Sequence, residues 1–362
     1  MLWSVSSILL KKNQTELRVK LINMSAIRFV SGDNYENLRG ETLHGAIIDE
    51  MREQHRDLWP MVIRPMLATT RGWAAFVSTP SGFDSFYELF KKGESGRDPN
   101  WGSIQAPSTA NPHFTQEEFE AARADMSEEQ FAQEILAEFR ELGVGKVYVS
   151  HGAHNQRINH PFAIRGQKIS PHLPIVVGLD FNVGKMCWVL GQFKGQAVHW
   201  HDELVIRNTN TQEAAPALIP KLQGHKPGVI LIGDASGKAR RSSASATDYQ
   251  IILETLRAAG ISVKNLTPEA NPPVKDRVNV VNSALRAADG SINFTYNPET
   301  CPELRLDLER TIWKQGAEGA VIDKSDPERT HASDAAGYPV AYYSTQLRPK
   351  PGKLYVIEHA YL

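Results

Sequence analysis

The chain has 362 residues, 41% of them hydrophobic and 22% charged, which is typical of compact globular proteins and excludes a disordered or collagenous chain. Lysine and arginine number 40 against 41 acidic residues. This balance excludes a global attraction to nucleic acid, so any polyanion must bind at a local patch.

The cysteine content and the hydropathy also limit the possible classes of protein. The two cysteines, Cys187 and Cys301, lack metal-type spacing, which excludes a disulfide framework and fits a reducing compartment. No apolar run approaches the roughly 20 residues of a membrane span, and the first residues lack the order of a secretion signal. We therefore expect a cytoplasmic protein without a membrane partner.

Two apolar runs stand out in the first part of the chain, which otherwise reads as short strands and turns. The run in "HGAIIDE" ends on Asp49 and Glu50, and the run in "WAAFVSTP" ends on Ser78, Thr79 and Pro80. Because neither run alternates with polar residues, both are predicted to be buried parallel strands. The segment between them is predicted to be helix and loop.

A helical stretch follows from Thr115, a typical N-cap residue, and Ser127 interrupts it, so two helices are predicted. The next residues are rich in Gly, His and Pro and show no sustained period. We place the domain boundary in that stretch. The predicted parts are a first domain of residues 1–145, a linker of residues 146–172, a second domain of residues 173–346 and a tail of residues 347–362.

Three strand-like runs open the second part, at residues 175–181, 187–193 and 197–205, and their short links predict an antiparallel meander. Strands in "GVILIGDA" and "SVKNLT" then alternate with helices near residues 211–222, in "DYQIILETLRAAG" and in "VKDRVNVVNSALRAAD". A final helix is predicted near residues 331–343. This order of elements predicts a mixed α/β sheet.

Two strands of the second part are followed by a carboxylate. Asp180 ends the run "PIVVGLD", and Asp234 ends the run "GVILIGD". If the two strands lie side by side, both carboxylates emerge at the carboxyl edge of the sheet. A third acid, Asp334, lies in "THASDAAGY", and His331 precedes it by three positions, on the same helical face.

Carboxylates that share a partly buried place repel each other unless a cation neutralises them, and oxygen ligands favour Mg²⁺ or Mn²⁺. In a two-metal site, such acids serve the activation of water and the stabilisation of the departing oxygen of a phosphodiester. We therefore predict a nuclease in which Asp180, Asp234 and Asp334 bind metal and His331 is a further catalytic residue. Taken singly, each Asp could instead be a turn or cap residue, and His331 a solvated histidine.

The acids of the first part have the form of a Walker B strand, in which Asp49 would hold Mg²⁺ and Glu50 would polarise the attacking water. Ser78 and Thr79 follow the next strand, in the position of a coupling motif. The phosphate-loop pattern G-x-x-x-x-G-K-[ST] is absent from the sequence, because "LGVGKV" has Val147 where the hydroxyl residue belongs. ATP hydrolysis by this chain alone is therefore not expected.

The order of these motifs resembles the large terminase subunit of tailed bacteriophages, the motor and nuclease that cuts and packages DNA. The motifs are "LRGETLHGAIIDE", "FVSTPSG", a helical stretch, "VGLDFNVGK", "IGDASG" and "HASDAAGY", and the resemblance covers residues 22–343. It implies a truncated, P-loop ATPase-like α/β domain without Walker A, followed by a ribonuclease H-like nuclease domain. It maps the nuclease acids onto Asp180, Asp234 and Asp334, with His331 beside them, and the residual ATPase motifs onto Asp49, Glu50, Ser78 and Thr79.

The same resemblance implies the biological setting. The chain is expected to be a prophage-derived, truncated or split terminase that cuts concatemeric DNA for genome packaging. The implied partners are double-stranded DNA, a small terminase subunit and a portal protein, in the cytoplasm of a bacterial host.

Basic residues near the acids are candidates for DNA binding. Lys238, Arg240 and Arg241 lie among small residues directly after Asp234, and Lys275 and Arg277 open a helix. Such cations can follow a phosphate backbone, although each segment could equally be an ordinary solvated surface. No base-reading motif accompanies them, so we expect little sequence preference.

Three other interpretations remain open. The same acids suit a Holliday-junction resolvase or a transposase-like enzyme, although the Walker B-like part has no place there. A remnant that only binds packaging proteins or DNA is the non-enzymatic alternative. The phosphate loop could also be supplied by a separate polypeptide.

Overall fold

A computed structural model describes residues 9–13, 17–32, 35–80, 84–140, 145–164, 166–239, 246–314 and 321–347. The chain divides into two compact units, Met1–Ile104 and Gln105–Leu362. Residues 105–145, which the sequence assigned to the first domain, therefore belong to the second unit.

The described part of the first unit contains two small sheets and several helices. β1 (Leu9–Asn13), β2 (Arg18–Leu21) and β3 (Ala26–Arg28) form an antiparallel sheet, and β4 (Gly45–Ile48) pairs in parallel with β5 (Trp73–Phe76). A π-helix (Leu58–Ile63) continues into α1 (Arg64–Ala68), and α2 (Ser85–Glu94) follows β5. The two apolar runs are thus parallel strands as predicted, but the prediction that they are buried was wrong, since Ile47 and Trp73 are 69% and 59% exposed.

Two capped helices open the second unit. α3 (Gln116–Asp125) begins after Thr115, whose side chain accepts a hydrogen bond from the backbone N–H of Glu118. α4 (Glu128–Glu134) begins after Ser127, whose side chain accepts from the N–H of Gln130. Each hydroxyl satisfies an amide that the helix itself leaves unpaired, which explains the break at Ser127 that the sequence predicts.

A six-stranded mixed sheet forms the centre of the second unit. Its strands are β6 (Ile175–Asp180), β7 (Lys185–Lys194), β8 (Ala197–Arg207), β9 (Val229–Gly233), β10 (Val263–Asn265) and β11 (Phe294–Tyr296). Their order is β10-β9-β6-β7-β8-β11. The β6-β7-β8 meander is antiparallel, whereas β9 runs parallel to β6 and β10 parallel to β9. The predicted meander and mixed sheet are confirmed, while β11 was not predicted.

Helices cover both faces of this sheet. They are α5 (Thr211–Ala214), α6 (Ile219–Leu222), α7 (Asp248–Ala258), α8 (Val274–Leu285), α9 (Pro302–Arg310) and α10 (His331–Leu347). Ile252 and Leu256 of α7 pack on one face, and residues of α8, α9 and α10 pack on the other. Of the helices in the described ranges, none has the length and apolar character needed to cross a membrane.

Residues 146–172, predicted as a linker, contribute to the core of the second unit. Val147 and Tyr148 are buried in the cluster that contains α8 and α10. The side-chain amide of Asn155 is fully buried and donates to the carbonyl oxygens of Leu285 and Phe294, at 2.8 and 2.9 Å. Because polar residues such as Asn155 hold this segment in place, its composition concealed the burial.

Gly178 sets the distance between α10 and β6. A Cβ atom at this position would lie 2.2 Å from the backbone oxygen of Ala335, which is closer than any real contact of this kind. Only glycine therefore allows the helix to lie directly on the strand. This close packing brings the first turn of α10 to the end of β6.

Candidate active site at the ends of two parallel strands

Asp180 and Asp234 lie side by side at the ends of two neighbouring parallel strands. Leu179 of β6 pairs with Gly233 of β9, and the N–H of Asp234 donates to the carbonyl oxygen of Leu179 at 3.0 Å. Neighbouring strands lie about 4.8 Å apart, so the two acids stand at adjacent positions of the sheet edge. The adjacency that the sequence left conditional is thus confirmed.

Both acids belong to the face of the sheet that α10 covers. Side chains two residues apart in a strand share a face, and Asp180 is two residues beyond Gly178, which touches α10. Asp234 is two residues beyond Ile232, which is buried in the same cluster as α10. The site therefore lies between the strand ends and the beginning of α10.

Asp180 is bound to His331. It is 8% exposed, and its Oδ2 lies 2.9 Å from Nδ1 of His331. The other ring nitrogen, Nε2, lies 3.0 Å from the carbonyl oxygen of Pro327. Nε2 also lies 3.4 Å from the side-chain amide nitrogen of Asn182, and the hydrogen bond to Asp180 raises the pKa of His331.

Asp334 is bound to Arg277. Both side chains are buried, and Nη1 of Arg277 lies 2.9 Å from Oδ1 of Asp334. The geometry is that of an ion pair without a good hydrogen bond, because Oδ1 has no hydrogen-bond partner among the described residues. The guanidinium also lies over the ring of Tyr338, 4.5 Å from its centroid. Burial raises the pKa of Asp334, and the charge of Arg277 opposes that rise.

Asp234 begins the short 3₁₀ helix that follows β9. Its Oδ1 accepts from the N–H of Ser236 at 2.7 Å and from the side-chain amide of Asn271 at 2.8 Å. Asp234 is thus a cap residue, and its second carboxylate oxygen, Oδ2, has no hydrogen-bond donor among the described residues.

The three acids share one electrostatic environment around Tyr338. Burial raises the pKa of the Tyr338 phenol, and the negative charges of Asp334, Asp234 and Asp180 raise it further, against the opposing charge of Arg277. The charge of Asp180 also raises the pKa of Asp334. Carboxylates that influence each other in a buried place are suited to share a cation.

The donor set therefore suits a divalent cation, although its present arrangement does not form a coordination sphere. In the described part of the chain, no group of three or more His, Cys, Asp and Glu side chains is arranged to hold a metal ion. Asp180 and Asp334 face His331 and Arg277 instead. The hard oxygen donors, among them Oδ2 of Asp234, are what would favour such an ion.

The predicted DNA-binding residues have different surroundings. Arg277 is 6% exposed and paired with Asp334, so it is not available to a phosphate backbone, contrary to the prediction that it binds DNA. Lys238 is paired with the exposed Glu269, with Nζ and Oε1 2.6 Å apart. Lys275 is partly exposed. Arg240 and Arg241 lie outside the described residues.

The predicted ATPase residues lie at the ends of β4 and β5 in the first unit. Asp49 and Glu50 are exposed, and Oδ1 of Asp49 accepts from the N–H of Glu50 at 3.0 Å. The hydroxyl of Ser78 lies 3.5 Å from Oε2 of Glu50. Thr79 is half-buried. The two strand ends thus come together as the motif requires, within this unit alone.

Two buried charged residues beside the site were missed or misassigned from the sequence. Asp307 is 1% exposed on the apolar stripe of α9, between Leu304 and Leu308. Arg277 lies on the apolar stripe of α8, with Val281. A charged residue on a buried stripe requires a partner, and this periodicity was the signal that could have identified both.

The fold and the site define an α/β protein whose carboxylates cluster outside the carboxyl ends of parallel strands, the usual place for a ligand in such sheets. The sequence is 38% identical over 111 residues to the terminase large subunit of Thermus phage G20c, and 27% identical over 160 residues to that of Escherichia phage T5. The chain is thus related to the terminase large subunits of phages, and the predicted resemblance is confirmed.

The structural comparison agrees at the level of the fold. The large terminase of a thermophilic bacteriophage, in one of its crystal forms, superposes with a TM-score of 0.57 over 94% of this chain and 80% of that protein, at 15% identity. The sequence matches span 22% of the G20c protein and 35% of the T5 protein. No protein-family profile matches the chain.

Proposed function

We propose that this chain is a metal-dependent DNA endonuclease of the phage terminase large subunit type, whose nuclease domain is ribonuclease H-like. The observation that carries the proposal is the pairing of β6 with β9, which brings Asp180 and Asp234 together on the face covered by α10. Asp334 on α10 supplies the third carboxylate. The relationship to phage terminases supports this choice among enzymes that use carboxylates.

Three carboxylates would hold the divalent ions, Mg²⁺ or Mn²⁺. The oxygens without a described partner are the second oxygen of Asp180 and Oδ2 of Asp234, and Oδ1 of Asp334 would have to exchange its ion pair with Arg277 for the cation. When bound, such ions supply an activated water and stabilise charge on the departing oxygen of the phosphodiester. His331 and Arg277 are the positive partners of Asp180 and Asp334 in the absence of a cation.

The protein groups themselves have separate roles in the proposed reaction. His331 orients Asp180 through Nδ1, and its Nε2 would assist proton transfer only by leaving the carbonyl oxygen of Pro327. Asn271 fixes the carboxylate of Asp234. Arg277 holds Asp334 and is itself held against Tyr338, so the third acid has a defined orientation before substrate binds.

Lys275 and the segment of residues 238–241 are the proposed DNA contacts. Residues 238–241 come soon after Asp234 in the chain, and Lys275 lies in the first turn of α8. Positive side chains there would bind phosphates without reading bases. Double-stranded DNA, a small terminase subunit and a portal protein are the proposed partners, in the cytoplasm of a bacterial host. We propose no ATPase activity for this chain alone, because its sequence contains no phosphate-loop pattern.

A plasmid-cleavage assay tests the proposal. The purified chain is incubated with supercoiled plasmid and Mn²⁺, beside the variants Asp180→Asn and Asp234→Asn. We expect cutting by the wild type and at least a roughly hundredfold slower cutting by each variant, because the cation loses a charged ligand.

The matched control is Glu254→Gln, an exposed acid on α7, the helix on the opposite face of the sheet. This variant should cut like the wild type. Equal rates for the wild type and Asp180→Asn would remove the assignment of a nuclease.

A further inference from the structure

The first turn of α10 carries His331 and Asp334, and a carboxylate from another helix holds its backbone. Oδ2 of Asp307, on α9, accepts from the N–H of Ala332 at 2.9 Å and from that of Ser333 at 3.1 Å. The carbonyl oxygen of Thr330 accepts from the N–H of Asp334 at 2.8 Å, so Thr330 is the N-cap residue of α10. Asp307 thus binds the two amides that the side chain of a cap residue usually binds.

Thr330 has an unusual backbone for this position. It is buried, with φ of +79°, a conformation that is unfavourable for a β-branched residue and persists only where the surroundings impose it. The hydrogen bonds from Ala332 and Ser333 to Asp307 are part of those surroundings. The beginning of α10 is therefore held from outside the helix.

The helix that supplies Asp307 is held in the same way. Glu203 on β8 accepts from the N–H of Glu303 at 2.8 Å and from that of Leu304 at 3.1 Å. These are again the second and third residues of a helix, because α9 begins at Pro302. Its cap residue, Cys301, makes no side-chain capping bond. A connected series of contacts thus runs from β8 through α9 to the first turn of α10.

The electrostatics of Asp307 fit this arrangement. Burial raises the pKa of Asp307 to about 6, while the amides of α10 and the positive charge of Arg329 oppose that rise. Nη1 of Arg329 lies 3.2 Å from Oδ1 of Asp307. A negative charge at the positive end of a helix is favourable, so Asp307 stabilises the turn as well as satisfying its amides.

We propose that Asp307 is a positioning residue for the site, which caps α10 from α9 and thereby fixes His331 and Asp334 over the strand ends. Glu203 supports α9 in the same manner, one step further from the chemistry. The proposal rests on the proposed function only in naming the site as a nuclease centre. The capping itself is a property of the fold that can be measured separately.

The experiment compares the wild type with Asp307→Ala, Asp307→Asn and Glu203→Gln. Hydrogen exchange of the amides of Ala332 and Ser333 reports the cap, and calorimetry with Mn²⁺ reports the ligand arrangement. We expect Asp307→Ala to speed exchange in this turn about tenfold and to weaken Mn²⁺ binding by a similar factor, as the loss of a strong cap implies. In the plasmid assay, kcat should fall while the KM for DNA stays unchanged.

Two variants separate positioning from general destabilisation. Asp307→Asn keeps an oxygen that can accept from both amides and should retain most of the protection and of the Mn²⁺ affinity. Glu309→Gln, on the same helix with a side chain 39% exposed, is the matched control and should behave like the wild type. Should Asp307→Ala fail to fold, the same readouts are taken from Asp307→Asn and Glu203→Gln, where we expect smaller changes confined to α10 and α9, respectively.

The outcomes are distinguishable. Unchanged exchange and unchanged Mn²⁺ affinity in a folded Asp307→Ala, or unchanged exchange of the α9 amides in Glu203→Gln, would overturn the positioning role, and so would faster exchange spread evenly over the second unit. A wild-type chain that binds no Mn²⁺ and cuts no DNA would remove the proposed function, while the exchange measurement would still decide whether Asp307 caps α10.

Discussion

Two strand ends with the same sequence pattern have different environments in the two units. Asp49 and Glu50 follow the apolar strand β4 and are exposed, and the neighbouring Ile47 is 69% exposed. Asp180 ends the apolar strand β6 and is 8% exposed. In the described residues β4 pairs with one strand, whereas β6 lies between β7 and β9 with helices on both faces. An apolar run that ends on an acid therefore marks a strand end, and the covering layers determine whether the acid is buried.

The difference has a chemical consequence. An exposed carboxylate stays ionised in water without help, so the acids of the first unit need no fixed partner. A buried carboxylate needs a counter-ion or a proton, and Asp180 and Asp334 have His331 and Arg277 for this purpose. The second unit thus pairs its buried acids with positive side chains, while the first leaves its two acids exposed.

Removing the counter-ion of a buried acid should have the largest effect. We expect Arg277→Met to lower the free energy of unfolding by about 3 to 5 kcal/mol, because Asp334 would remain buried without its partner. Guanidinium unfolding measures this change. The double variant Arg277→Met with Asp334→Asn should recover much of the lost stability. If it does not, the broken ion pair is not the cause of the destabilisation.

Separating α10 from the sheet is the next largest change. We expect Gly178→Ala to destabilise the second unit by about 3 kcal/mol, since the added Cβ meets the backbone oxygen of Ala335. Thermal unfolding and Mn²⁺ calorimetry measure the effect on the fold and the site. The control is Gly102→Ala, which has open space around the added Cβ and should leave the free energy of unfolding nearly unchanged. Gly224→Ala is not suitable, because Gly224 has a φ of +83°. A neutral Gly178→Ala would contradict the close packing.

Acid should weaken the second unit through buried histidines that lie away from the site. Burial lowers the pKa of His160 to about 4 and of His199 to about 3. Such a group is neutral when folded and takes up a proton near pH 6.5 when unfolded, so stability is complete above pH 6.5 and decreases as the pH falls towards 4. We expect a loss of about 2 kcal/mol per histidine between pH 7 and pH 5.

Unfolding curves at several pH values test this effect of acid. The variant His160→Phe keeps an aromatic ring at the position that makes an edge-to-face contact with Phe162. Its free energy of unfolding should fall less steeply than that of the wild type as the pH is lowered. The same slope in both proteins would show that His160 does not contribute.

The smallest effect is expected at the exposed acids of the first unit. Glu50→Gln should change the free energy of unfolding by less than about 0.5 kcal/mol, because the side chain is 57% exposed and its contact with Arg52 is a surface ion pair. Chemical unfolding of Glu50→Gln and of Arg277→Met, measured under the same conditions, compares the two losses of free energy. A loss comparable to that of the buried pair would mean that burial does not explain the difference between the two units.

Much of the secondary structure followed from local patterns. Unbroken apolar runs identified β4, β5, β6 and β9, and the capping hydroxyls of Thr115 and Ser127 identified two helix starts. The predictions of β6, β9 and the two helices succeeded because a strand buried on both faces and a capped helix each leave a signal within a few residues, whereas β4 and β5 are strands that are only partly covered. The strand β11 was missed although β10, of the same length, was predicted; its pairing with β8 joins segments almost a hundred positions apart, which local sequence does not show.

The partners of the site residues did not follow from local patterns. The sequence named Asp180 and Asp234 because each ends an apolar run, yet it assigned Arg277 to DNA and did not single out Asp307. Arg277 meets Asp334 across 57 positions of the chain, and Asp307 meets Ser333 across 26. Sequence spacing carries no information about such encounters between helices, beyond the warning that a charge lies on an apolar stripe.

The sequence by itself thus determined the strands, their acidic ends and the relationship to phage terminases, because burial and capping act over short stretches of chain. Only the tertiary structure decided which charges face each other, because a buried charge is neutralised by whatever group the packing of β6, α8, α9 and α10 brings within a few ångströms. The pairs Asp180–His331 and Asp334–Arg277 and the cap from Asp307 are consequences of that packing.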